Sequence, residues 1–226
     1  MPEIRENLTT VNYRPRGTKP KWIVVHNTYN RTSREGTAYN NTVYFKNTLR
    51  NASANYFIDD GNIIWCCVKP TDTAWHCGEA ESRNGCYNYN SIGIEVCETN
   101  DGWFTDKEIQ TLTWLVQKLM GEYGIDADHV CRHHDVTGKN CPWYYVSERR
   151  WAQLKNTITE DDMAGYGEQI LAKLNDRHDA SGRGKEATDH ERLCWMAAKQ
   201  EKMQKSIDDL NEKLDKLIEG SEHDNR

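Results

Sequence analysis

A chain of 226 residues, 37% of them hydrophobic, is long enough for one ordinary domain with a core and an appendage. Residues 1–159 hold 18 Lys and Arg against 18 Asp and Glu, so the remaining 11 and 17 place the whole net charge of −6 in the tail. Neither part has the positive stripe that phosphate binding requires, which argues against a nucleic-acid partner, and the absence of a run of about 18 apolar residues argues against membrane insertion.

Residues 1–6 lack the apolar centre of a signal peptide, so the expected site of synthesis is a cytoplasm. Eight cysteines in a chain of this kind read as reduced, buried small hydrophobes and not as a disulfide framework. Seven of the eight tryptophans precede residue 160, and together with the charge division this puts a domain boundary near Ile158 and Thr159.

In chain order, residues 1–20 carry Pro2, Pro15 and Pro20 with little periodicity and read as an arm lying over the domain. The apolar run from Lys21 to His26 predicts a strand buried on both faces, with His26 at its carboxyl end, the edge where α/β sheets commonly build sites. Tyr39, Val43 and Lys46 or Leu49 give weak helical spacing over 36–50. Residues 54–58 and 63–68, separated by Asp59-Asp60-Gly61-Asn62, predict a β-hairpin. Trp75 and His76 fall in a loop, and 91–98 predict a strand in which Glu95 alternates with Ile94 and Val96. Thr105 and Glu108 form a capping box that opens a helix with Ile109, Leu112, Val116 and Leu119 on one face, ending between Gly121 and Gly124. The fold class is therefore α/β, a mixed central sheet flanked by helices.

The tail differs. Met163, Tyr166, Ile170 and Leu174 give a helical segment over 160–174, and polar residues with Gly182 and Gly184 make 175–189 a flexible linker. Leu193, Met196, Gln200, Met203, Ile207, Leu210, Leu214 and Leu217 then alternate three and four apart, the seam of a coiled coil over 190–219. So narrow an apolar stripe predicts a homo-oligomer, with Gln200 available to set register.

The chemistry concentrates in the run from His133 to Pro142, which holds two histidines, a lysine and a cysteine in one Gly-containing loop. A lone strand-end histidine is more often a hydrogen-bonded core or surface residue than a ligand. Together, however, His26, His133 and Cys141 offer a His/His/Cys set whose softness suits Zn2+ and leaves a fourth position open, with His134 a rival to His133. Glu95 has the bland reading of an outward-facing strand carboxylate, and Lys139 that of a solvated loop lysine.

Five segments occur in an order that resembles the type 2 N-acetylmuramoyl-L-alanine amidases. They are residues 23–28, 53–61, 74–78, 90–95 and the His133-to-Cys141-Pro142 run, and the likeness covers roughly 20–150. The resemblance implies a peptidoglycan recognition protein-like fold over 1–159 and one zinc ion per chain, held by His26, His133 and Cys141. It also implies Glu95 as general base, Lys139 as donor to the oxyanion, and Trp75 with His76 lining the substrate groove. The implied reaction is hydrolysis by zinc-activated water of the amide between the lactyl group of N-acetylmuramic acid and L-alanine of the stem peptide. Family members often have His where this chain has Asn55. Phage lytic enzymes are prominent in this family, which suggests an endolysin reaching the wall by a holin-type route. Two other functions remain open: a module that binds peptidoglycan without cleaving it, and a cysteine hydrolase using Cys141 or Cys77 with a histidine.

Overall fold

A computed structural model describes residues 2–159 of the chain; the segments 160–174, 175–189 and 190–219 expected above lie outside the described residues. Six strands form one mixed sheet in the order β1 (Glu3–Glu6), β5 (Ile63–Cys66), β4 (Tyr56–Ile58), β7 (Ser91–Val96), β3 (Trp22–Asn27) and β8 (Val130–Arg132). The β4–β5 hairpin is antiparallel, as the Asp-Gly turn predicts, and the other neighbours in the sheet are parallel. A second, two-stranded antiparallel sheet joins β2 (Tyr13–Pro15) to β6 (Asp72–Ala74).

Alternation along β3 sorts the molecule into layers. Ile23 and Val25 point into the larger core, with Ile92, Ile94 and Val96 of β7. That face is covered by α2 (Asp106–Tyr123) through Leu112, Leu115, Val116 and Leu119, and by α4 (Glu148–Thr159) through Trp151, Leu154 and Ile158. Val24 faces the other way into a smaller cluster with Cys77, Cys86, Cys131 and Val136. Both faces of β3 are thus buried, as its continuous apolar run implies. The seven described cysteines are buried and unpaired, and no described helix is long and apolar enough to cross a membrane.

Two expectations need correction. Residues 1–20 are not an arm laid over the domain: Glu3–Glu6 pairs with β5 as the edge of the main sheet, and Tyr13–Pro15 pairs with β6. Edge strands this short are held by backbone hydrogen bonds, so they leave no apolar alternation to read. The helix expected over 36–50 is α1 (Thr37–Lys46), and it is rotated from the predicted face. Thr37, Ala38 and Thr42 are buried, whereas Tyr39, Val43 and Leu49 are exposed. Polar anchors set this rotation: the Ala38 N–H donates to the Asp59 carboxylate at 2.9 Å, and Asn7 Nδ2 donates to Thr42 Oγ1 at 2.8 Å.

The capping box of α2 is present in both directions. Glu108 N–H donates to Thr105 Oγ1 at 3.2 Å, and Thr105 N–H donates to Glu108 Oε2 at 2.7 Å. At the other end Gly124 takes the left-handed conformation, φ 64°, and its N–H closes on the Met120 carbonyl. Glu108 is fully buried, and its Oε1 has no hydrogen-bond partner among the described residues. Burial pushes its carboxyl up to about 8 against the hydrogen bonds with Thr105, and Asp60 and Asp59 add to the rise. The folded chain therefore keeps this proton to higher pH than the unfolded chain, whose carboxyl ionises near 4.5, so rising pH across that window favours unfolding. Glu108→Gln removes the titration. Its melting temperature relative to wild type is expected to climb by several degrees between about pH 5 and about pH 8, and a difference independent of pH would refute the assignment.

Candidate active site

Register builds the site. In the β3–β7 pair His26 lies opposite Glu95, and in the β4–β7 pair Phe57 lies opposite the same Glu95. His26 therefore shares a face with Val24, and Glu95 with Gly93, on the side of the sheet away from α2 and α4. β8 ends opposite Val25, at Arg132, and the chain passes straight into α3 (His133–Thr137). His133 thus starts its helix at the carboxyl edge where β3 delivers His26. The expected loop is in fact one helical turn closed by Gly138 at φ 82°, and a Cβ there would meet the Arg83 guanidinium at 2.4 Å. Lys139, Asn140 and Cys141 then fold back, fastened by the His134 N–H on the Cys141 carbonyl at 2.8 Å.

His26, His133 and Cys141 converge, all buried, with their donor atoms within 4.8 Å of one another. His26 Nδ1 is 3.1 Å from His133 Nδ1 and 3.7 Å from Cys141 Sγ. A tetrahedral zinc site, with metal–nitrogen and metal–sulfur bonds of about 2.0 and about 2.3 Å, puts its ligand atoms about 3.3–3.7 Å apart. The donor set and its spacing fit such an ion. Burial, then the charges of His133, His76 and Lys139, holds His26 well below the usual histidine range. Burial and Lys139 lower His133 to about 4. Both imidazoles are thus neutral and able to ligate, while burial pushes the Cys141 thiol up to about 12, a proton that a cation must displace.

Glu95 Oε1 stands 4.0 Å from His26 Nδ1, and Oε2 is buried with no hydrogen-bond partner among the described residues. The side chain keeps 20% of its exposure, so the carboxyl lines a cleft. Burial pushes it up to about 8, opposed by the positive charge of Lys139 and assisted by Glu98. Lys139 is exposed, near enough for its positive charge to act on Glu95, His26 and His133. Trp75 is half-buried and exchanges backbone contacts with Ser53. His76 turns both ring nitrogens inward, Nδ1 at 3.0 Å from His26 Nε2 and Nε2 at 3.1 Å from Ser91 Oγ. His134 points elsewhere, its Nδ1 at 3.1 Å from the Lys139 carbonyl. Asn55 is fully buried and structural: its Nδ2 donates to the Val68 carbonyl and its Oδ1 accepts from Gly93 N–H. Asp135 holds Arg132, not an imidazole.

A family model described as N-acetylmuramoyl-L-alanine amidase matches residues 16–144. The chain belongs to the N-acetylmuramoyl-L-alanine amidase family. N-acetylmuramoyl-L-alanine amidase CwlA of Bacillus subtilis (strain 168) is 36% identical over 145 residues, 64% of this chain and 51% of that protein. CwlH of the same organism is 34% identical over 143 residues, 63% of this chain and 54% of its own. The chain thus spans about half the length of these curated relatives. Among solved structures, a mutant endolysin from Bacillus subtilis is 34% identical, with a TM-score of 0.59 over 70% of this chain and 99% of its own. PlyL is 29% identical, with a TM-score of 0.61 over 71% and 99%. The central mixed sheet and its helices are those of this family.

Sequence reasoning missed part of this site. Glu98, fully buried just beyond β7, accepts from Thr28 Oγ1, Tyr29 N–H and Arg31 N–H, each at 3.1 Å. It pins a loop in which Tyr29 and Arg31 both take left-handed backbone conformations, φ 59° and 56°. The Tyr29 hydroxyl reaches the Asn140 carbonyl, so this loop is tied to the segment bearing Lys139 and Cys141. Nothing in residue spacing announces such a contact. The ligand assignment carries its own check. Zinc added to the metal-free protein at neutral pH is expected to release about two protons, one from Cys141 and most of one from Glu95, because both imidazoles are already neutral. Calorimetry in buffers of different ionisation enthalpy reads that number, and a release of one proton or fewer would remove the thiol from the ligand set.

Proposed function

We propose that this chain is a zinc-dependent peptidoglycan hydrolase that cleaves the amide between the lactyl group of N-acetylmuramic acid and L-alanine of the stem peptide. The observation that carries the reading is the Glu95 carboxylate, 4.0 Å from His26 within the His26, His133 and Cys141 cluster. A bound zinc ion supplies Lewis-acid polarisation of a carbonyl and lowers the pKa of water at the site. The chain's own groups do the rest. Glu95 Oε2, buried and without a hydrogen-bond partner among the described residues, takes a proton from the attacking water as its oxygen bonds to the carbonyl carbon. The same carboxyl returns that proton to the L-alanine nitrogen as the C–N bond breaks. The Lys139 ammonium faces the carbonyl oxygen as it gains charge, a contact typically worth about 3 kcal/mol of barrier. Trp75 lines the groove that receives the polymer.

A thiol mechanism is disfavoured by the same geometry. The Cys77 thiol, although its contact with Cys86 lowers its pKa, is 1% exposed and out of a polymer's reach, and burial raises Cys141 to about 12 where a nucleophile needs a lowered pKa. A binding-only role is disfavoured by the retained Cys141 and by Glu95, a base that binding does not need. Likeness to an endolysin from Bacillus subtilis supports a lytic role, with the wall reached by a holin-type route. The heptad spacing of 190–219 supports self-association of the full chain, which would raise residence on a repetitive polymer. A monomeric mass in sedimentation would exclude that part.

Purified bacterial wall digested by the protein should gain free L-alanine amino termini, and wall without them after full digestion would overturn the reaction assigned. Glu95→Gln is expected to lower turnover by about 10²–10⁴-fold, and Lys139→Ala by about 10²-fold, with zinc retained in both. Because Lys139 favours the ionised form of Glu95, Lys139→Ala should also move the acid limb of kcat/KM to higher pH. Wild-type rates in either variant would remove that residue from the mechanism.

A further inference from the structure

The carbonyl of Tyr87 can only accept, and from it a chain of polar contacts runs to the metal-ligand cluster. Ser91 Oγ lies 2.6 Å from that carbonyl. The hydrogen between these two oxygens must be the serine's own. With it committed, Ser91 presents lone pairs to its remaining neighbours, His76 Nε2 at 3.1 Å and Cys77 Sγ at 3.6 Å. The proton between Ser91 and His76 therefore sits on His76 Nε2. A neutral imidazole carries one proton, so His76 Nδ1 is bare and accepts. Its partner, His26 Nε2 at 3.0 Å, must donate. His26 is left with its lone pair on Nδ1, the nitrogen 3.1 Å from His133 Nδ1 and 3.7 Å from Cys141 Sγ.

Packing keeps the chain of contacts in place. His26 is 1% exposed, so bulk water does not compete for its Nε2 proton. The His76 ring lies on Gly93 of the neighbouring strand, where a Cβ would meet His76 Cγ at 2.5 Å. The backbone N–H groups of His76, Cys77 and Gly78 all donate to Asn88 Oδ1, at 2.9, 2.8 and 3.1 Å. Ring and backbone of His76 are thus both held. The opposite tautomer of His26 would put a proton where the three donor atoms converge.

We infer that His76, oriented by Ser91 and the Tyr87 carbonyl, is a positioning residue that keeps the His26 proton on Nε2 and aims the Nδ1 lone pair into the metal cluster. This deepens the zinc reading above and rests on it. It also replaces the groove-lining role expected for His76 with one directed inward. Partners of this kind, one step behind a ligating histidine, typically account for about 10–100-fold in metal affinity.

Two measurements decide it. Long-range proton–nitrogen spectra of the metal-free protein at about pH 8, above the ordinary histidine range, should show both His76 and His26 protonated on Nε2; a proton on His26 Nδ1 overturns the inference. Zinc affinity, read by competition with a chromogenic chelator, should fall about 10–100-fold in His76→Ala. Most of it should return in His76→Asn, whose side-chain oxygen occupies the Nδ1 position. Melting of the metal-free variants separates lost affinity from lost fold. Wild-type affinity in a folded His76→Ala sinks the relay alone, whereas a wild-type protein that binds no zinc sinks the metal reading, and the tautomer measurement still judges the relay.

Discussion

The pairing of β3 with β7 is the contact on which the site depends. It sets His26 against Glu95 and Val24 against Gly93, so ligand, carboxylate and the gap that receives the His76 ring all fall on one face. A slip of one residue in either strand would turn its side chains toward α2 and α4. Five apolar residues resist that slip: Ile23, Val25, Ile92, Ile94 and Val96 are all fully buried in the opposite core. Stability of the helix-covered face and geometry of the chemical face are the same constraint, read from alternate residues.

Burial also decides the charge state. Without a cation the cluster avoids charge, with His26 and His133 neutral, the Cys141 thiol pushed up to about 12 and the Glu95 carboxyl to about 8. A divalent ion would reverse this, since one thiolate and one carboxylate balance its two charges while two neutral imidazoles complete the donors. A monovalent cation would leave excess negative charge in a buried place. Glu98 needs no such compensation, because three protein donors already satisfy it.

What was legible in the sequence shares one property: its cause is local. The apolar run of β3, the Asp-Gly turn of the β4–β5 hairpin and the Thr105–Glu108 box of α2 each declare themselves within a few residues. His26, His133 and Cys141 could be grouped by residue type, but only the order of family motifs set His133 ahead of His134, because their approach depends on the β3–β8 pairing and on the return of the chain after Gly138. The rotation of α1 was not legible. Its apolar spacing suggested a buried stripe of Tyr39 and Val43, but hydrogen bonds from Asn7 and to Asp59 set the helix facing the other way. The contacts of His76 were not legible for a similar reason: beside Trp75 it resembles a groove residue, and Ser91, fifteen residues on, lies against one of its ring nitrogens.

The loop held by Glu98 shows how a rigid edge is completed by segments that are not rigid alone. Left-handed conformations at Tyr29 and Arg31 each cost on the order of 1 kcal/mol, since neither is glycine. The Glu98 carboxylate offsets this with charge-assisted hydrogen bonds to those same two backbone N–H groups. Glu98 follows Glu95 on the strand end, so one short segment both supplies the carboxylate of the cleft and anchors the loop beside it. Through Tyr29 and the Asn140 carbonyl that loop reaches the segment between Lys139 and Cys141. The exposed ammonium is therefore presented from a stretch fastened at both sides, by Tyr29 across the cleft and by the His134 N–H on the Cys141 carbonyl. On the catalytic reading proposed above, the backbone that carries Lys139 is thus ordered in the free protein, and only the side chain is left to settle when charge develops on the substrate.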